Sequence, residues 1–126
     1  MHDITPKIPE GKKVIDAYGG GGFTVNEEKI KSSILILPDE VVEFNAENLE
    51  QIDSSNFLTH IEANISAIEL ILVGGGLATD FLDTNIEKFL RKNSVSVEYM
   101  DTGAACRTYN ILLSEERKVA ALLIKV

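Results

Sequence analysis

Cys106 is the only thiol in the chain, and it follows Asp101-Thr102-Gly103-Ala104-Ala105 at the start of a helix-spaced apolar stretch. A thiol in the first turn of a helix, next to Arg107, has the two features that lower a cysteine pKa: a helix dipole and an adjacent cation. Nucleophilic chemistry also needs a base. His2 lies near the N-terminus and His60 stands alone in a separate helical segment, so neither has a claim to that role. Cys106 is therefore expected to be a small buried residue packed toward a sheet. Metal chemistry finds no support, because no second Cys or His sits at zinc-like spacing and the acids lack the spacing of a calcium loop. Neither metal nor cofactor is expected. Gly74-Gly75-Gly76 follows an apolar run, where α/β proteins often cradle phosphate. The chain continues Leu77-Ala78-Thr79-Asp80, without the Lys-Ser/Thr pair of a nucleotide loop, and Asp80 and Asp83 would repel a phosphate. Gly19–Gly22 precedes no helix and reads as a tight bend. No catalytic motif is complete, and an enzyme is not expected.

One segment does demand an explanation, Met100 through Asn110. Ala104, Ala105, Thr108, Tyr109, Ile111 and Leu112 can face a core. The stripe left over is Gly103, Arg107, Asn110 and Ser114, at spacings of four, three and four. Arg107 is the only charge between Thr102 and Ser114. Its guanidinium can grip a carboxylate with two parallel donors, one turn from amides left open at a glycine-containing helix start. This pattern nominates Asp101, Thr102, Gly103, Arg107 and Asn110 as a recognition surface, with Gly74, Gly76, Cys106 and Tyr109 as secondary candidates. The competing explanation is close helix-to-sheet packing, with Arg107 paired to Asp101 or Glu98.

The elements that must hold these residues follow from hydrophobic period. Residues 1–12 are polar, contain Pro6 and Pro9, and are expected to form a loose leader. Val14–Tyr18 and Phe23–Val25 are extended on either side of the glycine bend, and Asn26-Glu27-Glu28-Lys29 reads as a turn. Ile30–Leu37 is expected to be one strand, closed by Pro38-Asp39 and paired with Glu40–Phe44 as a hairpin. Asp53 or Ser54 caps a helix carrying Phe57, Leu58, Ile61 and Ile65 on one side. Ile68–Val73 has the apolar density of a strand buried on both faces. Thr84-x-x-Glu87 has capping-box form ahead of Ile86, Phe89 and Leu90, and Glu87 can pair with Arg91. Val95, Val97 and Tyr99 alternate with polar neighbours. Asp101 or Thr102 then caps a helix to about Ser114, and Val119–Ile124 closes the chain. The second half is strand–helix–strand–helix–strand, so the expected class is α/β: three layers, a mixed central sheet with helices on both faces, and an N-terminal β-hairpin region.

At 126 residues the chain has the size of a single domain, and 44% apolar residues suffice for a core without staples. Its net charge is −8, and no Lys or Arg occurs from Ser32 to Glu87 among eleven acids. Phosphate backbones and anionic lipid surfaces both require clustered cations, which excludes nucleic acid and argues against direct membrane contact. No apolar run approaches the ~20 residues of a spanning helix. A lone cysteine suits a reducing compartment, and a soluble, cytoplasmic (or matrix-side) protein is expected.

Tyr18-Gly19 with Gly22-Phe23, the Ser33–Pro38 strand, Gly74-x-Gly76 and Glu98–Asn110 occur in order, followed by Ser114-Glu115-x-Arg117 and Val119-Ala120-Ala121. Together they resemble the domain of unknown function typified by mitochondrial NADH dehydrogenase (complex I) assembly factor 3. The Met-Asp-Thr-x-Ala-Ala-x-Arg-Thr-Tyr-Asn run is the specific part. The resemblance implies a three-layer α/β fold and a protein-binding role in assembling a respiratory complex, with its subunits as partners. It implies no catalytic residue. Ser32, Gly75 and Glu116 depart from the family's usual glycine, threonine and glycine. The alternative function is a small-molecule-binding protein or weak enzyme with a pocket near Gly74–Gly76 and Thr102–Asn110.

Overall fold

The computed structural model describes residues 2–3, 8, 10–77 and 80–126. Two sheets form among them. The first is antiparallel, in the order β1 (His2–Asp3), β2 (Ile15–Gly19), β3 (Gly22–Val25) and β4 (Glu28–Ile30). Two tight turns build it. Gly20 and Gly21 turn β2 into β3 with φ of 65° and 83°, and Asn26 and Glu27 turn β3 into β4 with φ of 48° and 70°. Such positive-φ pairs match the twist of the strands they join. Of the leader expected to be loose over residues 1–12, residues 1, 4–7 and 9 lie outside the described residues, whereas His2–Asp3 is ordered as a strand against β2.

The second sheet has five strands, ordered β6 (Val41–Phe44), β5 (Ser33–Ile36), β9 (Val119–Leu123), β7 (Leu70–Gly74) and β8 (Ser96–Met100). β7 runs parallel to β8 and β9, while β5 runs antiparallel to β9 and β6. The sheet is mixed, as expected, and every residue of β5, β7 and β9 is buried. The expected Ile30–Leu37 strand is in fact two. β4 ends at Ile30, and after Lys31-Ser32 the chain resumes as β5 in the other sheet.

Alternation along the strands sends side chains to two separate cores. Leu35, Ile71, Val73, Ala120 and Leu122 meet α1 (Ser54–Ala63) and α2 (Thr84–Lys92) through Phe57, Ile61, Ile86 and Leu90. Full burial of each such side chain is worth about 1.5–3 kcal/mol. On the opposite face Ile34, Ile36, Leu72, Ala121 and Leu123 meet α3 (Thr102–Ser114), together with Ile15, Phe23 and Val25 of the first sheet. The layers are thus α1 and α2, the mixed sheet, and α3 beside the N-terminal sheet.

Asp53 caps α1 by accepting from the Asn56 amide at 3.1 Å. The capping box expected at Thr84 does not form. Asp83 caps α2 instead, accepting from the Asn85 amide at 2.8 Å, and the Glu87 carboxylate is engaged by the Tyr99 hydroxyl. Glu87 still reaches Arg91, at 3.9 Å. α3 ends with Glu116 at φ 60°, its amide on the Leu113 carbonyl and the Arg117 amide on that of Leu112. This left-handed closing position favours glycine, which accounts for the family's usual glycine here; Glu116 occupies it in a backbone conformation that side chains rarely adopt.

Candidate functional site

β7 and β8 are adjacent and parallel, and the chain leaves them for opposite faces: β7 leads to α2, β8 to α3. The crevice beyond such strand ends is where open α/β sheets bind ligands. Here it is stitched shut. The Gly75 amide donates to the Met100 carbonyl at 3.1 Å, and the Thr102 amide to that of Gly76 at 2.8 Å. The buried Thr102 hydroxyl accepts from the Gly76 amide at 2.9 Å and donates to the Ile124 carbonyl at 2.7 Å. Gly74 lets the helix sit directly on the strand end. A Cβ there would lie 2.9 Å from Thr102 Cα and 3.0 Å from Ala105 Cβ. Gly74, Gly76 and Thr102 therefore form a joint that fills the crevice at the strand ends.

The start of α3 is also closed to an anion. Asp101 caps it, accepting from the Ala104 amide at 2.8 Å, so its own carboxylate already sits at the positive end of the dipole. The open amides expected there are not available as a group.

Arg107 is exposed. The pairing with Asp101 or Glu98 that would have made it structural is absent: among the described residues no carboxylate lies within ion-pair distance of it. Its Nη1 donates instead to the Tyr18 hydroxyl at 2.6 Å, which ties α3 to β2 and fixes the direction of the guanidinium. Gly103 makes that approach possible, since a Cβ at this position would lie 2.9 Å from the Tyr18 hydroxyl.

Asn110 does not belong to the surface. It is 1% exposed; its Oδ1 accepts from the Ile15 amide at 3.1 Å and its Nδ2 donates to the Ile15 carbonyl at 2.7 Å. Ile15 stands where the β2–β3 register shifts, and the amide of Asn110 serves its backbone as a neighbouring strand would. Tyr109 is likewise internal, its hydroxyl on the Lys13 carbonyl at 2.7 Å.

Cys106 is fully buried, and burial pushes its thiol pKa from 9.0 up to about 12. The nearby Arg107 opposes this shift without cancelling it. That leaves about a thousandfold less thiolate near neutrality than an ordinary cysteine has. Native protein should therefore react with a disulfide reagent at pH 7 far more slowly than denatured protein does. Equal rates would return thiol chemistry to consideration.

The exposed stripe of α3 runs through Arg107 and Ile111. Ile111, expected in the core, is 54% exposed, because Asn110 and Tyr109 turn the helix so that position 111 faces outward. Leu77 is 92% exposed and joins Tyr18, Gly76, Asp101, Gly103 and Arg107 around an open cavity of about 300 Å³. Of the nominated residues, Asp101, Gly103, Arg107 and Gly76 line this cavity, while Thr102, Asn110, Cys106 and Tyr109 are buried beneath or beside it. Leu77 and Ile111 were missed, since an exposed leucine and an inward one read alike in sequence. Tyr18 was noted for its place beside the glycine bend and in the family resemblance, but not as a site residue.

Residues 15–124 match the family described as a protein of unknown function, DUF498/DUF598. The chain belongs to this family. It is 36% identical over 111 residues to the NADH dehydrogenase 1 alpha subcomplex assembly factor 3 of Xenopus tropicalis, an alignment spanning 87% of this chain and 60% of that protein. The chain thus matches well under two-thirds of that relative's length. An uncharacterised protein of Rhodobacter capsulatus is 31% identical, over 96% of this chain and 93% of its own. A crystal structure described as an outer membrane protein from Bartonella henselae superposes with a TM-score of 0.83 at 32% identity, covering 95% of this chain and 99% of the other. The expected family, the α/β class and the mixed sheet are all borne out. No helix among the described residues is long and apolar enough to cross a membrane.

Proposed function

We propose that this member of the DUF498/DUF598 family is a non-enzymatic protein-binding module that acts as an assembly factor for a respiratory complex, on the cytoplasmic or matrix side of the membrane. The observation that carries the reading is Arg107: an exposed guanidinium aimed by Tyr18, without a carboxylate of its own among the described residues. Leu77 and Ile111, two of the three large apolar side chains that stand exposed among them, lie on the same side of the molecule, one on the Arg107 cavity and one a helical turn further along α3. An aimed cation beside exposed apolar groups suits a partner that brings a carboxylate flanked by apolar residues, since the apolar contacts exclude water and strengthen the charged one. Gly103 keeps the floor low enough for that approach, and Asp101 sets a charge against an anion placed on the helix axis.

The name carried by the Xenopus relative supports the assignment to a respiratory complex. The small-molecule alternative is left with the open cavity beside Arg107, since Thr102 fills the crevice at the strand ends. Affinity capture from native cells, with identification of co-purifying proteins, tests the proposal. Subunits of a respiratory complex should be recovered in a stoichiometric ratio, and a capture that yields none of them would overturn it.

A further inference from the structure

Strand β8 is an outer strand of the five-stranded sheet, paired on one side to β7. The Ser96 amide donates to the Glu69 carbonyl at 3.0 Å, and the Gly75 amide to the Met100 carbonyl at 3.1 Å. These two bonds fix the alternation. Residues 96, 98 and 100 turn their backbone groups to β7, so the N–H and C=O of Val97 and Tyr99 point away from the sheet. Proteins commonly blunt such an edge with proline, lysine or a bulge. Ser96-Val97-Glu98-Tyr99-Met100 has neither residue, and its register with β7 is unbroken over all five positions.

The two faces flanking this edge differ in chemistry. On the α2 side, half-buried Val97 and Tyr99 pack against the core, and the Phe81 ring stands edge-on to Tyr99 with centroids 4.8 Å apart. Phe81 is 64% exposed, an apolar surface that the domain itself does not cover. On the α3 side, Glu98 is exposed and opens on a groove of about 520 Å³ shared with Ser96, Thr108 and Leu112. Arg117, on the same groove, is bound to Glu69 at 2.8 Å and is also attracted by Glu98, but no cation among the described residues lies within ion-pair distance of Glu98.

We infer that β8 accepts an extended segment of a partner protein as a sixth strand, in which apolar residues alternate with basic ones. Main-chain bonds to Val97 and Tyr99 supply the attachment, as in other cases of strand addition. The alternation supplies the selectivity. Successive side chains of the incoming strand point to opposite faces, so its apolar residues meet Phe81 and Tyr99 while its lysines or arginines meet Glu98. The charge of the whole chain, −8, favours the same partner. A second copy fits less well, because a two-fold axis at the centre of β8 would set Glu98 against itself. This surface is separate from the Arg107 cavity, and either can fail without the other.

The test is an NMR titration of isotope-labelled protein with an end-capped peptide of alternating Lys and Val. Shifts should centre on Ser96–Met100, and the amides of Val97 and Tyr99 should become protected from exchange. Val97→Pro leaves the β7 ladder intact, because that N–H is not one of its donors, and it should lower peptide affinity about tenfold. Glu98→Lys, a surface change with little bearing on folding, should reverse the preference toward a Glu-Val peptide. Three results would overturn the inference: shifts confined to other regions, undiminished binding both of a peptide with N-methylated valines and of one with N-methylated lysines, or protection of Val97 and Tyr99 without peptide in a dimer of the chain.

Discussion

Asn110→Leu should destabilise the fold by about 2–6 kcal/mol, although the two side chains are similar in size. Leucine cannot replace the paired bonds to Ile15, whose amide and carbonyl would then be buried without partners. Each orphaned group costs about 1–3 kcal/mol, and there are two. The loss falls on the contact between α3 and β2, so the N-terminal sheet should loosen first. Chemical denaturation gives the total, and hydrogen exchange at Ile15 locates it. A denaturation midpoint matching the wild type would mean that Asn110 is not the clamp described above.

Gly74→Ala has the next largest expected effect, about 3 kcal/mol, at the upper end of overpacking penalties. The added methyl would press on Thr102 Cα, Ala105 Cβ and Leu123 Cδ2, all within 3.1 Å, and two of those atoms belong to the first turn of α3. The helix can move away only by breaking the Thr102 bonds to Gly76 and Ile124. Thermal unfolding should register the loss, and the Gly76 amide should exchange faster. Full stability would show that this joint has slack.

Where the chemistry of a residue admits one structural use, the sequence declared it. The apolar runs of β5, β7 and β9 read as buried strands, and the caps were narrowed to two neighbours each, of which Asp53 and Asp101 are the ones used. The failures come from residues with more than one use. Glu28–Ile30 looked like the end of a turn continuing into a strand, because pairing with β3 rather than β5 depends on how the first sheet folds back. Thr84 and Glu87 had capping-box spacing, but Asp83 was one residue earlier and Tyr99, twelve residues later, took the carboxylate. The α3 stripe was read from period alone. A rotation of some tens of degrees exchanges Asn110 for Ile111 at the surface, and that rotation is set by Ile15, far away in sequence. The exposure of Arg107 was legible because its charge excluded burial without a partner. Its aim, given by Tyr18 across 89 positions, could not be read.

The central claim is that Arg107 recognises a partner rather than holding the fold together. Arg107→Lys keeps the charge but loses the fork that grips a carboxylate with two donors. Partner capture and the thermal midpoint should be measured together on the wild type and this variant. The account predicts that capture falls by at least about thirtyfold, as loss of about 2 kcal/mol or more of a charged contact requires, while the midpoint stays nearly unchanged. A variant that captures its partner normally but melts well below the wild type would contradict it and make Arg107 a structural residue tied to Tyr18.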